Sequence, residues 1–191
     1  SVPAGPGIND NGSGSAALLE VAQQMAKSKP QNTVRFAWWG AEELGLIGST
    51  EWVGQRTPEE LDRIALYLNF DMIGSPNYYF GVYDANESSF AAPVAVPDGS
   101  IDIEKTFESF YTLRGEPYDD SAFSGRSDYA AFIDNGIPSG GLFTGAEERK
   151  TAQQRALWGG TTGAQFDPCY HLACDSIANY DAHALEVNAD A

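Results

Sequence analysis

Short apolar runs alternate with segments of helical periodicity along the chain, and this alternation limits the folds open to it. Apolar, β-branched or aromatic runs occupy residues 33–40, 64–74, 78–85 and 136–145, and helical patterns occupy residues 13–28, 57–64, 101–113 and 127–135. Strands separated by helices favour a mostly parallel sheet. We therefore expect an α/β fold, with a mostly parallel mixed sheet flanked by helices on both faces, and one domain over residues 1–191.

The net charge argues against two classes of partner. The chain has 11 basic and 27 acidic residues, which give a formal net charge of -16 at pH 7. This charge repels the phosphate backbone of nucleic acids and the anionic surface of membranes. No apolar run has the roughly 20 residues that a membrane-spanning helix needs. We expect no nucleic-acid partner and no membrane association.

Four carboxylates lie where a ligand site is expected. Glu42 and Glu43 follow the run 33–40, Asp71 ends another apolar run, and Asp10 lies in the glycine-rich stretch GPGINDNGSG. Ligands of open α/β sheets bind at the carboxyl ends of the strands. Several negative charges at one sheet edge are unfavourable unless a cation is bound. The pattern predicts a metal site.

A zinc-type metal also favours nitrogen ligands, and the chain has two histidines. His171 lies in CYHLACD between Cys169 and Cys174, whereas His183 has no special neighbours and is interpreted as a surface or packing residue. His171 is the better candidate ligand. The spacing of the two cysteines is compatible with a disulfide, with free thiols or with zinc ligands.

Six segments resemble one enzyme family in its own order. They are GINDNGSG, WWGAEELGLIGS, NFDMIG, GRSDYAAF, GGLFTGA and CYHLACD. They closely resemble the secreted bacterial leucine aminopeptidases of the co-catalytic dizinc exopeptidase family, whose relatives include glutamate carboxypeptidase and glutaminyl cyclase. The resemblance implies a zinc exopeptidase fold, peptide substrates with a free amino terminus, two zinc ions, a secreted protein, a disulfide between Cys169 and Cys174, and a monomer.

The resemblance also implies roles for individual residues. Asp10 matches the aspartate that bridges both zinc ions, Glu43 and His171 match the ligands that complete one site, and Asp71 matches a ligand of the other. Glu42 matches the general base.

Further matches concern the substrate. Tyr170 matches a residue that stabilises the oxyanion, and its alternative is an aromatic packed under the loop. Arg126 either borders the substrate or forms a surface ion pair. Met72 and Phe143 either line an apolar pocket for a large amino-terminal side chain such as Leu, Phe or Met, or belong to the core.

Three other functions are considered. A serine hydrolase is disfavoured because no Gly-x-Ser-x-Gly nucleophile elbow is present. A glutaminyl cyclase with a single zinc would keep Asp10, Glu43 and His171. A non-catalytic binding module on the same fold is expected to have lost some of the matched residues, whereas this chain retains all of them.

The family places a His-x-Asp motif immediately before the segment that begins here with SVPAGPGIND. The resemblance therefore predicts an amino-terminally truncated catalytic domain, comprising the carboxyl-terminal two-thirds or so of a longer enzyme. One zinc site then keeps three protein ligands, and the other keeps only Asp10 and Asp71. A calcium ion is a further expectation, since Glu186 and Asp190 make the carboxyl-terminal end acidic.

Overall fold

The computed structural model describes residues 5–191. Its strands are β1 (Tyr67–Phe70), β2 (Gly81–Tyr83), β3 (Asp119–Ser121) and β4 (Ser139–Phe143). Its helices are α1 (Gly12–Met25), α2 (Ile47–Gly54), α3 (Pro58–Leu61), α4 (Gly99–Arg114), α5 (Ala130–Ile133), α6 (Ala152–Trp158) and α7 (Ala182–Asp190), and a short 3-10 helix covers Glu42–Leu44.

The four strands form one mixed sheet in the order β1-β4-β2-β3. β1 runs parallel to β4 and β2 runs parallel to β3, while β2 and β4 are antiparallel. Two of the three pairings are therefore parallel, as the alternation of strands and helices predicts. The expected α/β class is confirmed.

Helices cover both faces of the sheet. Val82 belongs to a core cluster with residues of α1, α4 and α7, whereas its neighbour Tyr83 packs with Tyr129 and Ile133 at α5. Successive strand residues point to opposite faces, so the two clusters lie on opposite sides. Gly140 of β4 allows α4 to approach closely, since a Cβ there would lie 2.5 Å from the side chain of Ile103.

Several predicted elements form within the predicted segments. The helix at residues 13–28 forms as α1, and the helix at 57–64 forms as α3 with both hydrogen bonds of a capping box between Thr57 and Glu60. The other predicted helices form as α4 and α5. The runs 64–74, 78–85 and 136–145 contain β1, β2 and β4.

The strand predicted at residues 33–40 is wrong. This segment has no strand pairing in the described part of the chain, and none of its residues is buried. Its apolar and aromatic composition favours an extended backbone, but a strand also requires a hydrogen-bonded neighbour. Glu42 and Glu43 consequently follow an unpaired segment rather than a strand.

Four elements have no counterpart among the predictions: β3, α2, α6 and α7. β3 has the sequence Asp-Asp-Ser, which lacks the apolar signal of a strand, and it forms because it pairs with β2. Among the described residues, no helix is long and apolar enough to cross a membrane.

Candidate metal centre

Asp10, Glu43 and His171, here called the metal cluster, meet beyond the carboxyl end of β1. Each offers a ligand atom, and these atoms lie within 4.8 Å of one another. His171 Nε2 lies 2.9 Å from Glu43 Oε2 and 3.2 Å from Asp10 Oδ2. Asp10 Oδ2 and His171 Nε2 are nevertheless buried without a hydrogen-bond partner among the described residues. Two carboxylates and an imidazole, with unsatisfied atoms on Asp10 and His171, fit a zinc ion.

The glycine-rich loop around Asp10 is anchored through its two asparagines. Asn11 caps α1 through a hydrogen bond from the Gly14 N–H, and it also donates to the carbonyl of Phe70 at the end of β1. A Cβ at Gly14 would lie 2.0 Å from that carbonyl. The glycine therefore allows α1 to begin directly against the strand, and this contact places Asp10 beside the strand end.

A buried polar network holds the same loop from the other side. The carboxylate of Asp175 accepts the backbone N–H groups of Asn9 and Asp10 at 2.8 and 3.1 Å. Asp167 accepts the Asn9 amide at 2.8 Å and the Asn179 amide at 2.9 Å. The network joins the Asp10 loop to the segment that carries His171. No role was predicted for these residues from the sequence, although Asn9 lies within GINDNGSG and Asp175 ends CYHLACD.

Glu42 and Glu43 open the 3-10 helix in a tightly folded loop. Ala41 and Leu46, on either side, have positive φ angles of 59° and 56°. The Gly48 N–H donates to the carbonyl of Gly40 at 3.1 Å, so the loop closes on itself. This closure turns residues 42 and 43 back toward the site.

Asp71 lies one residue beyond β1, as the sequence predicts. Its Oδ2 accepts the Ser127 hydroxyl hydrogen at 2.6 Å, and Ser127 in turn accepts the Asn69 amide at 2.9 Å. These contacts fix the carboxylate at the sheet edge. Asp71 is outside the metal cluster, but it is close enough to raise the pKa of Asp10.

The carboxylates of the site repel one another. Burial, reinforced by the negative charges of Asp71 and Glu43, raises the pKa of Asp10 to about 8. Burial and the charges of Asp71, Glu43 and Asp128 raise the pKa of Glu42 to about 7. Burial, with the charges of Asp128 and Glu43, also raises the pKa of Asp71 to about 6. A bound cation would relieve this repulsion.

The disulfide implied by the resemblance is present between Cys169 and Cys174. Tyr170 and His171 lie inside the closed loop, and their rings contact each other with centroids 3.8 Å apart. Burial and the charge of Asp10 raise the pKa of the Tyr170 hydroxyl, which therefore stays protonated at neutral pH. His183 lies outside the site and is half-exposed, with its Nε2 3.5 Å from Glu116.

A cavity of about 360 Å³ adjoins the metal cluster. Its lining includes Met72, Phe143, Arg126 and Tyr170, together with Asp10, Glu42, Glu43 and Asp71. Arg126 also forms an ion pair with Glu147 at 2.7 Å, as one of its two interpretations predicts; contact with the substrate stays a prediction. The predicted catalytic, substrate-binding and metal-ligating residues thus line one opening, except His171, which contacts Asp10 and Glu43 but is not part of the lining.

The whole of residues 1–191 matches the model of peptidase family M28. An aminopeptidase of Pseudomonas aeruginosa is 54% identical over the full chain, which covers 35% of that relative. Leucine aminopeptidase 2 of Trichophyton rubrum is 50% identical, with 38% of its length covered. A probable lipoprotein aminopeptidase, LpqL, of Mycobacterium tuberculosis is 52% identical, and the match covers 98% of this chain and 38% of that protein. The chain thus spans 35% to 38% of the length of these relatives, which is less than the two-thirds of a longer enzyme that the resemblance predicts.

Solved structures agree with these matches. A zinc aminopeptidase from Bacillus subtilis superposes with a TM-score of 0.75 at 28% identity, covering 100% of this chain and 41% of that one. A glutaminyl cyclase from Porphyromonas gingivalis shares the fold with a TM-score of 0.63 at 19% identity, covering 97% of this chain and 60% of that one. On the match over its full length, the chain belongs to peptidase family M28.

Proposed function

We propose that the protein containing this chain is a zinc-dependent aminopeptidase, which hydrolyses the first peptide bond after a free amino terminus. The observation that carries this proposal is the metal cluster, where Asp10 Oδ2 and His171 Nε2 are buried with no hydrogen-bond partner among the described residues. The family assignment and the names of the relatives support the same reaction.

Asp10, Glu43 and His171 would hold one zinc ion, and Asp10 with Asp71 would contribute to a second. Zinc, when bound, supplies Lewis acidity toward the scissile carbonyl group and toward water. Asp10 would be shared by the two sites, and its backbone is fixed by Asp175 on one side and by the start of α1 on the other. Calcium and the monomeric state remain predictions.

Glu42 is proposed as the general base. It lies beside Glu43 but is not part of the metal cluster, so its carboxylate is left to transfer a proton. It would accept a proton from the attacking water and pass it to the leaving amine. The protonated Tyr170 hydroxyl would donate a hydrogen bond to the carbonyl oxygen as negative charge develops there.

The cavity supports a preference for large apolar amino-terminal residues. Met72 and Phe143 line it together with the aromatic side chains of Tyr83 and Phe166. Burying a leucine or phenylalanine side chain against such a surface contributes roughly 1.5–3 kcal/mol. We expect Leu, Phe and Met substrates to be cleaved faster than Lys or Glu substrates.

Hydrolysis of a leucine anilide by the complete protein tests the proposal. We expect rapid release of the chromophore, loss of activity with a chelator and recovery with added zinc. Cyclisation of amino-terminal glutamine without anilide hydrolysis would indicate a glutaminyl cyclase. A folded, zinc-loaded protein inert toward both substrates would indicate a binding module.

We also propose that the protein acts outside the cytoplasm, with peptides as substrates. The disulfide supports this location, because such bonds persist in oxidising compartments. The name of the lipoprotein aminopeptidase relative supports the same location. Mass spectrometry of the non-reduced protein from its native source would contradict the proposal if it found two free thiols.

A further inference from the structure

An ion pair at the rim of the cavity links the loops around the site. Arg126 lies between β3 and α5, Glu147 follows β4, and Tyr170 lies in the disulfide loop. All three residues line the cavity. Arg126 Nη1 donates to Glu147 Oε1 at 2.7 Å, and Arg126 Nη2 donates to the Tyr170 hydroxyl oxygen at 3.4 Å. One guanidinium therefore connects Glu147 with the tyrosine.

Stability does not explain this arrangement well. The side chains of Arg126 and Glu147 are 56% and 39% exposed, and ion pairs this accessible contribute little to folding. Arg114 and Asp190 form an ion pair of the same length, 2.7 Å, between α4 and α7. That pair is absent from the cavity lining, so it is a matched control.

The contacts restrict how the Arg126 side chain can turn. A guanidinium group is planar, and two partners at different nitrogens define its orientation. Glu147 Oε1 holds one nitrogen, while Oε2 of the same carboxylate is enclosed without a hydrogen-bond partner among the described residues. The carboxylate is therefore held against Arg126 rather than turned into solvent. Without Glu147, the arginine would be free to leave the tyrosine.

We propose that Glu147 is a positioning residue: it holds Arg126 beside Tyr170 and thereby fixes the tyrosine hydroxyl where the substrate carbonyl oxygen becomes negative. This inference rests on the proposed aminopeptidase function. A donor aimed at developing charge acts mainly in the transition state, so its misplacement lowers kcat more than it changes KM. Glu147 itself makes no contact with the reacting atoms.

A double-mutant cycle in the complete, zinc-loaded protein tests the proposal. We expect Glu147→Gln to lower kcat for leucine anilide about tenfold with KM nearly unchanged. Tyr170→Phe should lower kcat at least as much, and the double variant should be no slower than Tyr170→Phe alone. Arg126→Gln should reproduce the Glu147→Gln effect without adding to it, and it replaces that variant should Glu147→Gln fail to fold. The control, Arg114→Gln, should retain normal kcat and KM.

The outcomes separate the inference from the proposed function. An inactive reference protein with zinc bound would reject the proposed function, and the positioning role with it. An active reference protein with an unaffected Glu147→Gln variant would overturn the positioning role alone. The positioning role would also be overturned if the fold-decreases in kcat of Glu147→Gln and Tyr170→Phe multiplied in the double variant, or if Glu147→Gln raised KM without lowering kcat.

Discussion

The described part of the chain has two groups of three titratable side chains whose possible ligand atoms lie within 4.8 Å of one another. The two groups differ in the hydrogen bonds that these atoms make. In the metal cluster, Asp10 Oδ2 and His171 Nε2 are buried without partners among the described residues. The second group, here called the acidic cluster, consists of Asp84, Glu104 and Asp120. It lies between β2, α4 and β3.

The carboxylates of the acidic cluster are already used by the protein. Asp84 accepts the backbone N–H groups of residues 88–90 at 2.8 to 3.0 Å. Glu104 accepts those of residues 85 and 86 at 3.2 and 3.0 Å. The cluster thus anchors the loop after β2. Proximity of acidic groups alone does not indicate a metal site. The metal cluster differs because two of its converging ligand atoms are buried and unsatisfied among the described residues.

The largest expected effect distinguishes the role of Glu42 from that of the neighbouring metal cluster. In the complete protein, Glu42→Gln should lower kcat by about 10²–10⁴-fold, because proton transfer is lost while the metal ligands remain. Glu43→Gln should instead lose zinc, measured by metal analysis after dialysis. Equal zinc loss in the two variants would show that the roles of these glutamates are wrongly assigned.

The second expected effect compares zinc affinity between the two clusters. His171→Asn removes the imidazole ligand. It should therefore weaken zinc binding more than roughly 100-fold, which is the largest effect typical of substitutions outside the ligand shell. Asp84→Asn should leave zinc binding unchanged. Competition with a chromogenic chelator measures both. Comparable losses would mean that the acidic cluster also binds the metal.

The third prediction concerns the metal-free protein and pH. The native pKa values of Asp10, Glu42 and Asp71, about 8, 7 and 6, lie above the ordinary values of 3.8 to 4.5. Between pH 4 and 8 the native state therefore binds more protons than the unfolded state, and the free energy of unfolding falls as pH rises.

Urea unfolding of the chelator-treated protein at several pH values measures this slope, and Asp10→Asn should reduce it. Zinc should reverse the trend, since its ligands must be deprotonated. A metal-free protein that is more stable at pH 8 than at pH 5 would contradict the repulsion inferred at the site.

The smallest expected effect lies in the acidic cluster. Asp84→Asn should lower the free energy of unfolding by about 2 kcal/mol, because a buried carboxylate that accepts three backbone N–H groups becomes a neutral amide. Glu186→Gln, on α7 away from the cluster, is the control and should have little effect. Urea denaturation of the zinc-loaded protein measures both. An unchanged urea midpoint for Asp84→Asn would contradict the structural role that we assign to the acidic cluster.

Local patterns in the sequence determined much of the fold. The helical periodicity of residues 13–28 and 57–64 is a local signal, and α1 and α3 form at these segments. Asp71 was identifiable because a charged residue at the end of a buried run is unusual. The residues of the metal cluster were identified by motif order, which the family resemblance supplied.

Long-range pairing decided the rest. Residues 33–40 have the composition of a strand, yet whether an extended segment becomes one depends on a neighbour that its own sequence does not contain. β3 shows the converse, because pairing with β2 makes a strand of Asp-Asp-Ser.

The contrast between the two clusters was likewise settled only in three dimensions. The sequence places carboxylates in both, and it does not show which of them the backbone will satisfy. The fold gives Asp84 three backbone donors and leaves Asp10 Oδ2 with none among the described residues. Burial makes an unsatisfied charged oxygen costly, so the same residue type is a loop anchor in one place and, in our proposal, a ligand for a cation in the other.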